Sequence, residues 1–134
     1  MDSHRQDWRE VFDELVEEVL AQLPPHLQRL LEEVPLHVED YPAESVLRET
    51  GTSDPEELCG LFSGLAITER SNEHAAALPP VVTIYRAGIM AAARDRRGRL
   101  NRKRLLRQIR LTILHELAHY HGLSEEELDE LGYS

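Results

Sequence analysis

The chain of 134 residues contains a single cysteine, Cys59, and only 5% aromatic residues. One thiol excludes an internal disulfide framework and a Cys-x-x-Cys zinc site, so we expect a reducing environment, the cytoplasm. Apolar residues make up 41% of the chain and charged residues 30%. This balance fits one soluble globular domain over residues 1–134 and excludes collagen-like and low-complexity classes.

Long hydrophobic runs are also missing from the sequence. The uncharged stretch from Ala75 to Tyr85 is far shorter than the roughly 20 apolar residues that a membrane-spanning helix needs. The first residues, Met1 to His4, include an acid where a secretion signal carries basic residues. We therefore expect neither membrane insertion nor export.

Basic residues are scarce outside one segment. The net charge is −10, yet nine of the fifteen Lys and Arg residues lie between Arg94 and Arg110, a segment that we call the basic belt. The overall acidity argues against a nucleic-acid binder, because phosphate binding depends on clustered Lys and Arg. The basic belt itself either docks an anion or an acidic protein, or forms a solvated loop and helix start.

The first half of the chain is predicted to form helices and one short strand. Apolar residues from Trp8 to Leu23 recur at helical spacing, with Asp7 as N-cap and Pro24-Pro25 at the end. Pro25 suits the first position of a second short helix. A half-buried strand over 36–40 and a short helix over 43–50, closed by Gly51, follow.

The second half is predicted to hold the remaining strands and a long helix. Residues 58–68 fit a bent strand or hairpin, in which Gly60 and Gly64 mark a turn or bulge, and residues 69–78 fit a surface loop. Val81 to Arg86 is the best strand by composition, and Pro80 before it favours an edge strand.

A helical turn over 88–94 precedes a long helix that Asn101 can cap. The order of all these elements predicts a small α+β domain, with helices packed on one short mixed sheet and a long C-terminal helix.

The long helix carries an HExxH motif, His115-Glu116-Leu117-Ala118-His119. Residues four apart lie one turn above each other, so both imidazoles can approach the same zinc ion. Glu116 is one step round the helix, where its carboxylate can take a proton from a zinc-bound water. Two ordinary histidines on a helix are the alternative, but they assign no role to Gly122, which lies on the same face where the chain must turn.

A catalytic zinc site needs a third protein ligand beside two histidines. Glu125 has a spacing that other zinc hydrolases use, and Glu126 can be aimed by a new helix that starts at Ser124. Glu127 completes a capping box with Ser124. Glu125 is the first choice as ligand, and Glu126 is the alternative. The acidic cluster also suits the first turn of a helix, which is the structural alternative to metal binding.

These motifs resemble the small bacterial zincin-like metallopeptidase family, whose signature is HExxHxxGxx(D/E). The similarity covers most of the chain after Pro35. The matching segments are Thr112–Leu128, Val81–Arg86, Gly60–Gly64 and Thr68–Arg70. The resemblance implies that His115 and His119 bind one Zn²⁺ ion together with Glu125 or Glu126, and that Glu116 is the general base.

In zincins an edge strand beside the active helix commonly pairs with an extended substrate. The resemblance therefore implies Val82, Ile84 and Tyr85 as substrate-binding residues, with a peptide or protein as the substrate. Tyr85, Arg86 or Tyr120 could stabilise the oxyanion.

The implied function is hydrolysis of peptide bonds by a minimal metalloprotease. A domain of this size leaves little chain for specificity pockets, so two alternatives stand beside it. One is a weakly catalytic or inactive zincin-like module that binds a partner through the basic belt. The other is a zinc hydrolase of another bond, because water activation alone does not select an amide over an ester.

Overall fold

The computed structural model describes residues 7–64, 79–120 and 126. The helices are α1 (Trp8–Gln22), α2 (Pro25–Glu33), α3 (Glu44–Thr50), α4 (Arg86–Ala93) and α5 (Arg102–Tyr120), and the strands are β1 (Leu36–Glu39), β2 (Gly60–Ser63) and β3 (Val81–Tyr85). A short 3-10 helix, Pro55–Glu57, precedes β2. These elements confirm the predicted α+β class with its long C-terminal helix. Among the described segments, no helix is long and apolar enough to cross a bilayer.

The helices begin and end at the capping residues that the sequence indicates. The carboxylate of Asp7 accepts hydrogen bonds from the backbone N–H groups of Arg9 and Glu10 at the start of α1. Asn101 Oδ1 accepts the N–H of Arg104 at the start of α5. Gly51 ends α3 at a φ of 70°, a left-handed conformation that glycine adopts without a Cβ penalty.

The strand order is β1-β3-β2, which places β3 in the centre of the sheet. β1 runs parallel to β3, with Val38 opposite Ile84, and β2 runs antiparallel to it, with Phe62 opposite Val82. The prediction that Val81 to Arg86 is an edge strand is therefore wrong. Pro80 lies just outside β3, so its missing N–H removes no hydrogen bond from the sheet.

The core lies between the helices and the sheet and is mainly aliphatic. α1 and α4 both pack on α5, and β2 crosses the second half of α5. The largest fully buried side chains of the core include Phe12, Leu15, Ile84, Ile89, Leu105, Ile109 and Ile113. This packing holds the HExxH turn of α5 against the sheet.

Several predictions concern parts of the chain outside the described residues. They are the surface loop over 69–78, the turn at Gly122, the ligand Glu125 and the capping box of Ser124 and Glu127. These stay predictions.

Candidate metal centre

α5 brings two histidine side chains together, one helical turn apart. The Nε2 atoms of His115 and His119 lie 3.1 Å from each other, with the ring centroids 4.8 Å apart. Two nitrogens that each lie about 2.0–2.1 Å from a tetrahedral zinc ion are separated by about 3.3 Å. The two imidazoles are therefore already at the spacing that a shared ion requires.

Glu116 lies beside this pair and is almost fully buried, with 8% of its surface exposed. Its Oε2 lies 3.9 Å from His115 Nε2, and its Oε1 accepts the main-chain N–H of Phe62 at 2.9 Å. The ligand atoms of His115, Glu116 and His119 all lie within 4.8 Å of one another. The carboxylate thus stands between the imidazole pair and β2, within reach of a water molecule at the pair.

A glycine allows β2 to lie directly on α5. A Cβ atom at Gly60 would come within 2.8 Å of Thr112 Cγ2 and 3.2 Å of Glu116 Cγ, closer than ordinary van der Waals contact. Phe62, on the same face of β2, packs its ring on Tyr120 at a centroid distance of 5.7 Å. The register of β2 is unbroken from residue 60, so the interpretation of Gly60 as a turn or bulge is wrong, and its role is close packing.

The half-buried thiol of Cys59 adjoins the same cluster. Burial raises its pKa first, and the negative charge of Glu116 raises it further, while a hydrogen bond with Thr112 acts in the opposite direction. The thiol therefore stays protonated at neutral pH.

The third metal ligand stays a prediction. Glu126 is exposed and is not part of the cluster of His115, Glu116 and His119 among the described residues. Glu125 lies outside them. The choice between Glu125 and Glu126 is therefore a matter for experiment.

The three residues assigned to substrate binding lie in the middle of the sheet. Val82 and Ile84 are 0% exposed and Tyr85 is 2% exposed. Because β3 is paired with β1 on one side and β2 on the other, a peptide cannot add to it as a further strand. Burial, with smaller effects from the charges of Glu39 and Glu116, raises the pKa of the Tyr85 hydroxyl.

Arg86 and Tyr120, two of the three residues that could stabilise the oxyanion, contact other side chains of the fold. The Arg86 guanidinium donates to Asp13 at 3.0 and 3.1 Å and to Asp40 at 2.9 Å. Tyr120 is 1% exposed and packs on Phe62. These contacts give Arg86 a structural role and place the Tyr120 ring in the core.

The basic belt is neutralised in part by its neighbours. Arg102 pairs with Glu14 and Glu18 of α1, and Arg99 pairs with Asp95. The exposed side chains of Lys103, Arg107 and Arg110, which we call the cationic stripe, form no ion pair with any residue in the described part of the chain. Their spacing places them on a different face of α5 from His115 and His119.

The zincin-like metallopeptidase family matches residues 31–133, a span that contains the whole cluster. The chain belongs to this family. A comparison with curated proteins found no match. The family match confirms the resemblance seen in the sequence and agrees with a His-Glu-His cluster that could hold a metal ion.

Proposed function

We propose that the protein is a zinc-dependent peptidase in which His115 and His119 bind the metal together with Glu125 or Glu126. The observation that carries this proposal is the 3.1 Å convergence of the two Nε2 atoms beside Glu116. Two neutral imidazoles and a carboxylate are a donor set that catalytic zinc sites use. When bound there, zinc would polarise the substrate carbonyl and lower the pKa of a water molecule towards neutrality.

Glu116 acts as the general base in this proposal. It takes a proton from the attacking water, whose oxygen forms the new bond to the peptide carbonyl carbon. It then returns the proton to the amide nitrogen as the C–N bond breaks. Water is the only reactant besides the peptide. Because Glu116 both accepts the proton and returns it, no second acid or base is needed.

β2 is the strand that an extended peptide substrate can join. Within the described segments β2 pairs only with β3, and on its other edge the N–H of Phe62 donates to Glu116 of α5. Gly60 and Phe62 direct their main-chain groups away from β3, because antiparallel pairing alternates inward and outward residues. The carbonyl of Phe62 is thus placed to accept a substrate N–H close to Glu116.

Replacing the base tests this function. We expect Glu116→Gln to keep its zinc and to lose peptide cleavage by about 10²- to 10⁴-fold, since the amide cannot accept the proton. Elemental analysis and cleavage of a mixed fluorogenic peptide pool measure the two properties. Glu49→Gln, at an exposed acid of α3, is the matched control.

Equal cleavage by Glu116→Gln and the wild type would end the assignment. A parallel assay with ester analogues of the same peptides separates a peptidase from a hydrolase of another bond. Cleavage of the esters alone would favour the latter.

A further inference from the structure

The main-chain N–H of Phe62 points away from β3, outward from the edge of the sheet, and donates to Glu116. Tyr85 N donates to Cys59 O across the β2–β3 pair, which fixes the alternation along β2. Leu61 therefore directs its N–H to β3, and Phe62 directs its N–H outward. Outward amides of an edge strand are normally left to solvent. Here the acceptor is a carboxylate 54 residues further along the chain.

We propose that β2 positions the general base, with the Phe62 N–H holding Oε1 of Glu116 so that Oε2 is presented on the side of His115. The inference rests on the proposed function. It adds a positioning group that lies outside the HExxH motif, because the donor is a backbone amide on another element.

Two contacts from β2 restrict the Glu116 side chain. Its carboxylate is bound by the Phe62 N–H at 2.9 Å, and its Cγ is so close to the Gly60 backbone that a Cβ atom at Gly60 would lie only 3.2 Å from it. A glutamate has several rotatable torsions, so an unrestrained carboxylate on α5 would sample many orientations. Contact at both the stem and the head selects one of them before substrate arrives.

Hydrogen exchange on the metal-free full chain tests the contact without any activity measurement. We expect the Phe62 amide to be protected in the wild type, and Glu116→Ala to lower that protection by about tenfold or more, since a charge-assisted bond is lost. The Leu61 amide, which faces β3, is the internal control and should change little. A Phe62 amide that exchanges freely in the wild type, or is unaffected by Glu116→Ala, would overturn the proposal.

A pair of substitutions tests the consequence for catalysis. Gly60→Ala introduces a Cβ only 2.8 Å from Thr112 Cγ2 and should push β2 away from Glu116. We expect a lower kcat and faster exchange at Phe62, with zinc affinity unchanged because the base is not a ligand. Thr112→Ser deletes Cγ2 but keeps the hydroxyl that donates to Gln108 O at 2.8 Å. Adding Thr112→Ser to Gly60→Ala should therefore restore part of the kcat and part of the protection of the Phe62 amide.

The outcomes separate this proposal from the proposed function. A wild type that binds no zinc and cleaves nothing contradicts the function, whereas the exchange data still show whether the contact exists. A Gly60→Ala variant that loses Phe62 protection yet cleaves as well as the wild type contradicts the positioning role alone. A variant that loses zinc and cleavage together, with no recovery by Thr112→Ser, also contradicts it, because the strand would then be supporting the whole site.

Discussion

His115, Glu116 and His119 occupy one turn of α5, but their surroundings differ. The two imidazoles are half-buried and face each other, so an ion can reach them from solvent. The carboxylate of Glu116 is buried against β2. At the scale of single residues the site thus combines an accessible ligand pair with a base whose orientation is restrained.

Cys59 offers a direct readout of the charge on Glu116. In metal-free protein we expect Glu116→Gln to shift the pH dependence of Cys59 alkylation to lower pH, because one of the causes that raise the thiol pKa is removed. Burial, the larger cause, remains, so the pKa should stay above its ordinary value. The shift is measured from the rate of reaction with iodoacetamide across about pH 7–10. This pH window roughly brackets the usual pKa of a thiol.

The control for this measurement is Glu49→Gln, which removes an exposed acid of α3 that is not among the groups that raise the Cys59 pKa. It should titrate like the wild type. Superimposable curves for all three proteins would show that the Glu116 carboxylate does not act on Cys59.

At the scale of elements, Arg86 joins α1, the end of β1 and the β3–α4 junction. Its side chain is 11% exposed and pairs with Asp13 and Asp40 at 2.9 Å each. It also lies 5.7 Å from the centre of the Phe12 ring. Burial acts to lower the Arg86 pKa, but the hydrogen bonds with the two carboxylates outweigh it and raise the pKa. The ion pairs therefore hold the β3–α4 junction against α1.

Removing this cation should destabilise the fold. We expect Arg86→Met to lower the free energy of unfolding by about 2 kcal/mol, below the usual cost of breaking a buried pair because both carboxylates are half-exposed. Arg48→Met is the matched control, since Arg48 and Glu44 are 3.9 Å apart and exposed. It should cost less than about 0.5 kcal/mol. Urea unfolding compares the two, and equal losses would contradict this role of Arg86.

Local signals predict the ends of the elements, whereas contacts between distant segments are not visible in them. Caps such as Asp7 and Asn101 act within a few residues, and their positions in the sequence agree with the structure. Pro80 favours an edge strand, but it lies just before β3 and leaves the strand able to pair on both sides. The apolar run of β3 is itself typical of a strand buried on both faces, and it was the signal that could have indicated the correct position.

The candidate site likewise has one part that local sequence signals predict and another part that depends on contacts between distant segments. The i and i+4 spacing of His115 and His119 is a helical property, so their convergence follows from sequence. The roles of Gly60 and the Phe62 N–H depend on how β2 packs on α5, and no local pattern encodes that packing. Their discovery requires the tertiary structure.

At the scale of the whole molecule, charge is unevenly distributed. The chain has a net charge of −10, while Lys103, Arg107 and Arg110 form a cationic stripe on α5. Arg102, next to the stripe in sequence, is already paired with acids of α1. The stripe, like the exposed Arg96 and Arg97, which also form no ion pair among the described residues, can therefore meet an anionic partner, which is the alternative function that the sequence indicates.

Neutralising the stripe separates the two functions. We expect Lys103→Gln/Arg107→Gln/Arg110→Gln to cleave peptides within about twofold of the wild type at physiological salt, because charges on another helix face are screened beyond roughly 8 Å. A tenfold loss of peptide cleavage would show that the stripe contributes to the reaction. Binding of poly-glutamate at low salt, measured on the same proteins, tests the partner-binding alternative, and a wild type that shows none would remove it.

Zinc titration of the metal-free full chain measures whether His115 and His119 bind a metal ion together. Calorimetry should show about one zinc bound per chain for the wild type and for His37→Ala, a histidine exposed on β1. His119→Ala should bind zinc more than about 100-fold more weakly, because it removes one of the two converging imidazoles. Equal affinities for the three proteins, or a wild type that binds no zinc, would show that His115 and His119 do not form a zinc site.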